Sequence, residues 1–411
     1  MNAAIAAQCV GLLSAQLISG GVLLLYLNVL KAGSSLILTI LSSAAIVSAL
    51  LGIPIAYAAD RAGLKRFGLI GNSMMVLGVG AIIVGGFFPS AGIAVICGGL
   101  IINTIGVAFF TSGWFALLSH AIPSFYLGRF FGRLRFSWQL VGIAFFLGVT
   151  PFMTRDTPIV VFQILFGVSL AGVLLRSFFY SRIPDRSVPT ETASPFWPTV
   201  TGVLKQKDYL PFLAYMFLLT FFTSQAMDVL RLLVKKGLGG SDSAILAMSV
   251  TGMAGALMGF FIAGRIVDSR GTKPVFIAGH FFFGLALFIF PLRGLLPLPM
   301  PILASVVTFL FGLVASMLSI AVTTESFQFC RGENRALSVV TIHSFQTFAA
   351  GSAGFLVAGV LRIDALAREW TLLGWTLTRF DTLLLGFGVM VVLLVVSIGL
   401  VPSVTRPRTE D

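Results

Sequence analysis

Twelve long apolar stretches follow one another along this chain of 411 residues, separated by short segments that contain most of its charged residues. A helix needs about 20 apolar residues to cross a bilayer core of about 30 Å. Hydrophobic residues make up 57% of the chain and charged residues only 10%, whereas soluble proteins have roughly 25% charged residues. Within lipid, helices satisfy their own backbone polar groups. The pattern therefore predicts an all-α membrane protein with twelve transmembrane helices.

The predicted spans form two sets of six. The first set is 3–30, 36–59, 67–88, 91–119, 136–153 and 158–181, and the second is 209–234, 243–267, 275–292, 299–324, 336–361 and 382–402. The segment 182–208 contains four prolines among charged and hydroxyl residues, a composition that neither spans a membrane nor builds a core. We predict an N-terminal six-helix bundle at 1–181, a cytoplasmic linker at 182–208 and a C-terminal six-helix bundle with a short cytoplasmic tail at 209–411.

Lysine and arginine are unevenly distributed between alternate connections. If both termini are cytoplasmic, that side has 18 of the 27 basic residues, with Arg135 and Arg176 included in the count. Cytoplasmic connections of membrane proteins are enriched in basic residues. We therefore expect an inner-membrane protein with both termini in the cytoplasm, and the same bias explains the net charge of +12 without nucleic acid. The polar connection 362–381 on the other side is expected to lie at the membrane interface through Trp370 and Trp375.

The sequence gives no sign of a cofactor, a metal site or a catalytic site. The three cysteines form no Cys-x-x-Cys pair, and the phosphate-binding loop G-x-x-x-x-G-K-[ST] is absent. Histidines, cysteines and carboxylates are not clustered within any predicted span. We therefore do not expect an enzyme, and any transport would draw its energy from a gradient or from the solute itself.

Two connections repeat each other. Asp60-Arg61-Ala62-Gly63-Leu64-Lys65 and Asp268-Ser269-Arg270-Gly271-Thr272-Lys273 share the pattern Asp-x-x-Gly-x-Lys and lie 208 residues apart, which is half the chain. Internal repeats in a long apolar chain indicate a transporter built from two similar halves around a central site.

The repeated connection resembles the signature loop of the major facilitator superfamily, commonly written G-x-x-x-D-R-x-G-R-K. The second copy includes Gly264 four residues before Asp268, and the segment after the fourth span has Pro123 followed by Gly128-Arg129 and Arg133, which is also common in that family. Span five lacks the Gly-Pro pair typical of drug/proton antiporters. The resemblance covers the whole chain and implies two pseudo-symmetric six-helix bundles.

In the resembling family this loop steadies the state closed toward the cytoplasm. The resemblance therefore implies gating roles for eight residues: Asp60, Arg61, Gly63, Lys65, Asp268, Arg270, Gly271 and Lys273. The simpler alternative is that they only fix topology, since basic residues hold the cytoplasmic boundary in any membrane protein.

Charged groups inside spans are costly and become candidates for function. Asp228 and Arg231 in span seven are three residues apart and can pair on one helix face. Residues 208 positions earlier are Gly20 and Leu23, so the pair has no counterpart in the first half. It is either a substrate or coupling site or an interfacial ion pair.

Six further polar residues are substrate or coupling candidates. Glu325 ends span ten and could instead pair with Arg331, while His343 lies one turn from Gln346 on span eleven. Histidine titrates near neutral pH and could carry a coupling proton, or it could be a packing residue. Gln16, Asn103 and Gln139 lie on spans one, four and five, which line the cavity in resembling proteins.

These observations favour a secondary active transporter, monomeric in the bilayer, that moves a small-molecule substrate by alternating access between its two halves. The scarcity of buried charge favours a small organic or amphipathic solute. A coupling ion is left open by the sequence. The alternative is a non-transporting membrane factor of the same fold that assists assembly of a pigment or metalloprotein complex.

Overall fold

The computed structural model describes residues 2–19, 21–88, 90–121, 127–154, 156–185, 195–296, 298–329, 335–363, 369–372 and 375–401. Within these residues, ten helical stretches are long and apolar enough to cross a membrane. Two further helices complete the succession of twelve. They are Lys273–Ile289, which is shorter, and Arg335–Val360, which has His343 and Gln346 near its middle. The twelve-span prediction is therefore consistent with the structure.

The first half contains spans 1 to 6. Span 1 is formed by helices Asn2–Ser19 and Val22–Val29, and the following spans are Ser34–Ala62, Leu64–Gly85, Gly92–Ala121, Leu127–Val149 and Ile159–Ser181. A 3-10 turn at Thr150–Phe152 extends span 5. Spans 2 and 3 meet at Gly63, and we call the end of the molecule that contains this turn the loop face and the other end the opposite face.

The second half contains spans 7 to 12. Span 7 is formed by helices Tyr209–Thr223 and Ala226–Leu232 with a π-helical turn at Leu233–Gly237. Spans 8 to 11 are Asp242–Arg270, Lys273–Ile289, Met300–Gln328 and Arg335–Val360, with a 3-10 turn at Arg293–Leu295 between spans 9 and 10. Span 12 is helix Arg379–Leu393 continued by a 3-10 segment at Leu394–Leu400.

The first span of each half is interrupted. Span 1 changes direction at Gly21, whose φ of +92° lies in the left-handed region that glycine adopts readily. Span 7 is broken at Ser224 and Gln225, which separate its two helices. The continuous apolar pattern of the sequence did not predict either break.

Glycines bring backbones into close contact inside each half. In the first half, Gly71 of span 3 lies against the carbonyl of Gly106 in span 4. In the second half, Gly255 of span 8 lies against the carbonyl of Phe309, and Gly312 of span 10 against that of Gly252. Small residues permit such approach in membrane helices. Replacing any of these glycines would force adjacent helices apart.

Two elements lie outside the twelve spans. Part of the predicted linker forms a helix at Phe196–Leu204 that buries Val200 and Val203, and linker residues 186–194 lie outside the described part. The polar connection near the opposite face contains two short antiparallel strands, β1 (Trp370–Leu372) and β2 (Trp375–Leu377), with Trp370 opposite Leu377. This hairpin is the one departure from the all-α prediction within the described residues.

Candidate functional site

Polar side chains join the two halves near the opposite face. The Arg231 guanidinium of span 7 donates to the Ser19 carbonyl in span 1 at 2.7 Å, and Lys236 donates to the Ala32 carbonyl at the same distance. On the other flank, Arg362 Nε donates to Ser35 Oγ at 2.7 Å. These hydrogen bonds hold the halves together at one end.

Asp242 adds a fourth contact between the halves on the same face. It begins span 8 and is 1% exposed. Its carboxylate accepts from the Thr157 amide at 3.2 Å, and its own amide donates to the Thr154 carbonyl at 3.0 Å. Lys235 lies 2.7 Å from the same carboxylate. The start of span 8 is thereby bonded to the connection between spans 5 and 6.

A cavity of about 280 Å³ lies between the halves toward the loop face. The first half contributes residues of spans 2 and 4, and the second half contributes residues of spans 10 and 11. Thr323 and Ser326 lie within two turns of the end of span 10, and Val340 near the start of span 11, which places the cavity near that face. Its volume is slightly below the range of about 300–1,000 Å³ for drug-sized ligands, so it suits a small solute.

Neutral polar groups line this cavity together with apolar ones. The hydroxyl-bearing residues are Ser48, Thr111, Ser112, Thr323, Ser326 and Ser344. His343 and Gln346, two of the sequence candidates, also line it. Carboxylates, lysines and arginines are absent from the described lining. Hydroxyl, amide and imidazole groups donate and accept hydrogen bonds, so the cavity can bind an uncharged polar solute.

The two repeated connections have similar backbone geometry. Gly63 and Gly271 have φ of +99° and +77°, and each amide donates to the carbonyl four residues earlier. L-residues rarely adopt such φ values. Glycine at the same position of both copies is therefore required by the shape of the turn.

The side chains of the first copy reach two neighbouring elements. Arg61 lies 3.5 Å from the centre of the Tyr57 ring, which packs edge-on against Phe196 of the linker helix. Lys65 donates to the Ile183 carbonyl beyond span 6 at 2.8 Å. In the second copy Arg270 and Lys273 are exposed. The side chains of Asp60 and Asp268 lie outside the described part of the structure.

Glu325 contacts the second copy of the loop. It is fully buried, and the Thr272 hydroxyl donates to its carboxylate at 2.5 Å. Arg331, the alternative partner, lies outside the described residues. Residues 208 positions earlier than Thr272 and Glu325 are Leu64 and Leu117, so the first half has no equivalent bond.

The Asp228–Arg231 pair expected from the sequence is present, with 3.0 Å between Arg231 Nη1 and the carboxylate. Because the same Nη1 donates to Ser19, the pair lies among the contacts near the opposite face. It is separate from the His343 cavity. Its position fits a role in closing that face better than direct binding in the cavity.

Three amide candidates lie between spans. Gln139 Nε2 donates to the Met253 carbonyl of the other half at 2.9 Å. Gln16 lies against Gly142 in span 5, and neither of its amide atoms has a hydrogen-bond partner among the described residues. Asn103 packs against Gly78 in the contact of spans 3 and 4. Of these candidates, Gln139 contacts the other half, whereas the described contacts of Gln16 and Asn103 lie within the first half.

The structure also reveals a buried charge that the sequence pattern indicated only as a basic residue at the cytoplasmic boundary. Arg176 is 4% exposed within span 6, and its Nη1 contacts the Gly11 carbonyl at 3.3 Å. An arginine five residues inside an apolar helix is by itself a signal of function. The cavity hydroxyls gave no such signal, because serine and threonine also occur in ordinary helix packing.

Comparisons with known proteins agree with this architecture. A search of curated protein sequences finds no match. Among solved structures, a POT family transporter in complex with a thioalcohol-conjugated peptide has a TM-score of 0.76 and 14% identity, over 97% of this chain and 94% of that one. The partially occluded, inward-open xylose transporter XylE from E. coli has a TM-score of 0.69 and 13% identity, over 96% and 95%.

A further solved structure, the nucleoside transporter NupG, has a TM-score of 0.65 and 16% identity, over 97% of this chain and 99% of that one. These identities show a shared fold. The sequence profile of the Major Facilitator Superfamily matches residues 4–358, which is most of the chain. This integral membrane protein therefore belongs to the major facilitator superfamily of transporters.

Proposed function

We propose that this protein is a secondary active transporter that moves a small, uncharged polar solute by alternating access between its two halves. The observation that carries the proposal is the cavity shared by spans 2, 4, 10 and 11, combined with hydrogen bonds between the halves at the opposite face. In this arrangement solute enters from the loop face while the other entrance is closed.

The orientation of this cycle follows from the charge bias of the sequence. With the loop face in the cytoplasm of an inner-membrane protein, the structure represents a state facing inward. Opening of the opposite face requires loss of the Arg231–Ser19, Lys236–Ala32 and Arg362–Ser35 bonds. The repeated connections would form the complementary closure at the loop face. The six-helix halves at 1–181 and 209–411 would move as units joined by the linker.

The cavity lining supports a neutral solute over a strongly charged one. A charged solute in a site without an opposite charge would lose its hydration without compensation. His343 is the described lining residue whose imidazole can accept and release a proton. It would either bind the solute directly or carry a coupling proton.

The test begins with a thermal-shift screen of the purified protein against uncharged solutes, followed by uptake into proteoliposomes. His343→Leu and Thr111→Val should weaken the binding of a hit by roughly tenfold, because each removes a hydrogen-bonding group worth about 1–1.5 kcal/mol. Thr347→Val is the matched control, since the Thr347 hydroxyl bonds to the His343 carbonyl at 2.7 Å and does not line the cavity. Equal affinity in all three variants would place the binding site elsewhere.

A further inference from the structure

Arg176 is a buried positive charge in the first half, remote from the cavity described above. Its Nη1 contacts the Gly11 carbonyl at 3.3 Å and the Met75 sulfur at 3.8 Å, and its guanidinium lies 3.5 Å from the centre of the Phe110 ring. Within the described residues no carboxylate lies within 4 Å of it. A carbonyl, a sulfur and an aromatic face only partly offset the charge of a buried guanidinium.

Three buried polar side chains meet at this point with bonding capacity unused. Arg176 Nε, the Tyr180 hydroxyl and both amide atoms of Asn72 lack a hydrogen-bond partner among the described residues. Asn72 and Tyr180 are both 0% exposed. Buried polar groups in native proteins are nearly always hydrogen-bonded, so these four atoms give the cluster the capacity to bind a ligand.

The register of two antiparallel helices brings these groups together. On span 6, Arg176 and Tyr180 are four residues apart and share one face. On span 3, Gly68 lies against the Tyr180 hydroxyl and the Met75 sulfur lies against Arg176. Asn72 is four residues after Gly68 and three before Met75, so it lies on the same face of span 3, between the two contacts.

We propose that this cluster binds a small monovalent anion of the halide class. The guanidinium supplies one positive charge, and Arg176 Nε, Asn72 Nδ2 and the Tyr180 hydroxyl supply three donors. Aromatic rings cover the cluster: the Trp114 ring stacks with the Tyr180 ring at 6.1 Å between centroids, and the Phe110 ring is tilted against it at 5.3 Å. The Asp185 carboxylate interacts electrostatically with Tyr180 from beyond the end of span 6. A single charge and few donors suit chloride or bromide better than phosphate, which carries more charge and needs more donors. The anion would join spans 3 and 6 beside span 1.

The experiment measures thermal unfolding of the purified full chain while bromide or chloride replaces gluconate at constant ionic strength. We expect a saturable rise in Tm of about 3 °C at a hundredfold excess of halide over its Kd. Arg176→Gln should abolish the halide dependence. Arg135→Gln is the matched control, because Arg135 is another arginine within a span, lies 5.3 Å from the Phe260 ring and is outside the cluster. It should keep the parent response.

A second variant protects the test against misfolding of Arg176→Gln. Tyr180→Phe preserves the ring stack and removes one donor, so the halide midpoint should rise roughly tenfold. A parent Tm that does not change with halide would overturn the proposal. So would a halide response that Arg176→Gln and Tyr180→Phe retain unchanged, since the anion would then bind elsewhere. Solute binding in the His343 cavity is measured separately, so failure of either proposal leaves the other standing.

Discussion

The two halves of this transporter treat buried charge differently. In the second half, the buried carboxylates each bond to a cation or a hydroxyl, as in the pairs Asp381–Arg293, Asp242–Lys235 and Glu325–Thr272. In the first half, the buried charge is Arg176, which has no carboxylate within 4 Å among the described residues. Duplication thus preserved the order of the spans and the glycine turns, while the buried chemistry diverged. The paired groups satisfy each other within the protein, whereas the Arg176 guanidinium has capacity for a further ligand.

The largest expected effect comes from breaking a paired charge. Asp381 is fully buried, bonds to both terminal nitrogens of Arg293 and caps its own helix through Thr378. Asp381→Asn should lower the free energy of unfolding by about 3–5 kcal/mol, because it leaves a buried guanidinium without a counter-charge. Denaturation of the detergent-solubilised protein measures this loss. A loss below about 1 kcal/mol would show that the pair contributes little.

Removal of the Arg176 charge should change the free energy of unfolding in the opposite direction. In halide-free buffer, Arg176→Met removes an uncompensated buried charge and keeps most of the side-chain volume, so stability should be unchanged or rise by about 1–4 kcal/mol. The same denaturation assay compares it with the parent. A loss comparable to that of Asp381→Asn would mean that the Arg176 charge is already compensated within the protein, and the contrast between the halves would disappear.

The glycine turns of the repeated connections are a feature that the two halves share. Gly63→Ala and Gly271→Ala should each cost about 1–2 kcal/mol, since alanine is strained at the positive φ of both turns. Both should also slow uptake while leaving membrane insertion intact. Gly80→Ala is the control, because Gly80 is helical, has open space around it and lies outside both repeated connections. Normal uptake in both turn variants would contradict a gating role for the repeated connections.

The smallest effect on stability is expected at the Asp228–Arg231 pair, where the side chains are 24% and 11% exposed. Asp228→Asn should change the free energy of unfolding by only about 0.2–1 kcal/mol. Its effect should instead be on transport rate, because Arg231 loses the partner that orients it toward Ser19. The rate of solute uptake, measured over a pH series, tests this expectation. A variant identical to the parent in rate and stability would reduce the pair to an interfacial contact.

Much of this fold could be predicted from the sequence because bilayer thickness imposes a length on every apolar helix. The spacing of Asp228 and Arg231 predicted their pair, since residues three apart share a helix face. The repeated Gly63 and Gly271 predicted two turns, and both are present. These features depend on local geometry alone.

Other features depend on how helices rotate and pack, which a single sequence does not specify. Asn103 was expected among cavity residues, yet span 4 is rotated so that it packs against Gly78. The surroundings of Arg176 come from four different spans. The break in span 1 at Gly21 lies within an apolar run that the hydropathy pattern treats as continuous. The side chains of Asp60 and Asp268 lie outside the described structure, so their gating roles stay predictions.

The central claim is that the two faces open alternately. It is tested most directly by distances between spin labels in a background without the three native cysteines. One pair, Lys31→Cys with Ile363→Cys, spans the halves at the opposite face, and the other, Arg66→Cys with Ser269→Cys, spans them at the loop face. All four positions are exposed. We predict two distances for each pair, the longer at one face accompanying the shorter at the other, with populations that shift when solute binds. A single unchanging distance at both faces would contradict alternating access and favour a static membrane assembly factor.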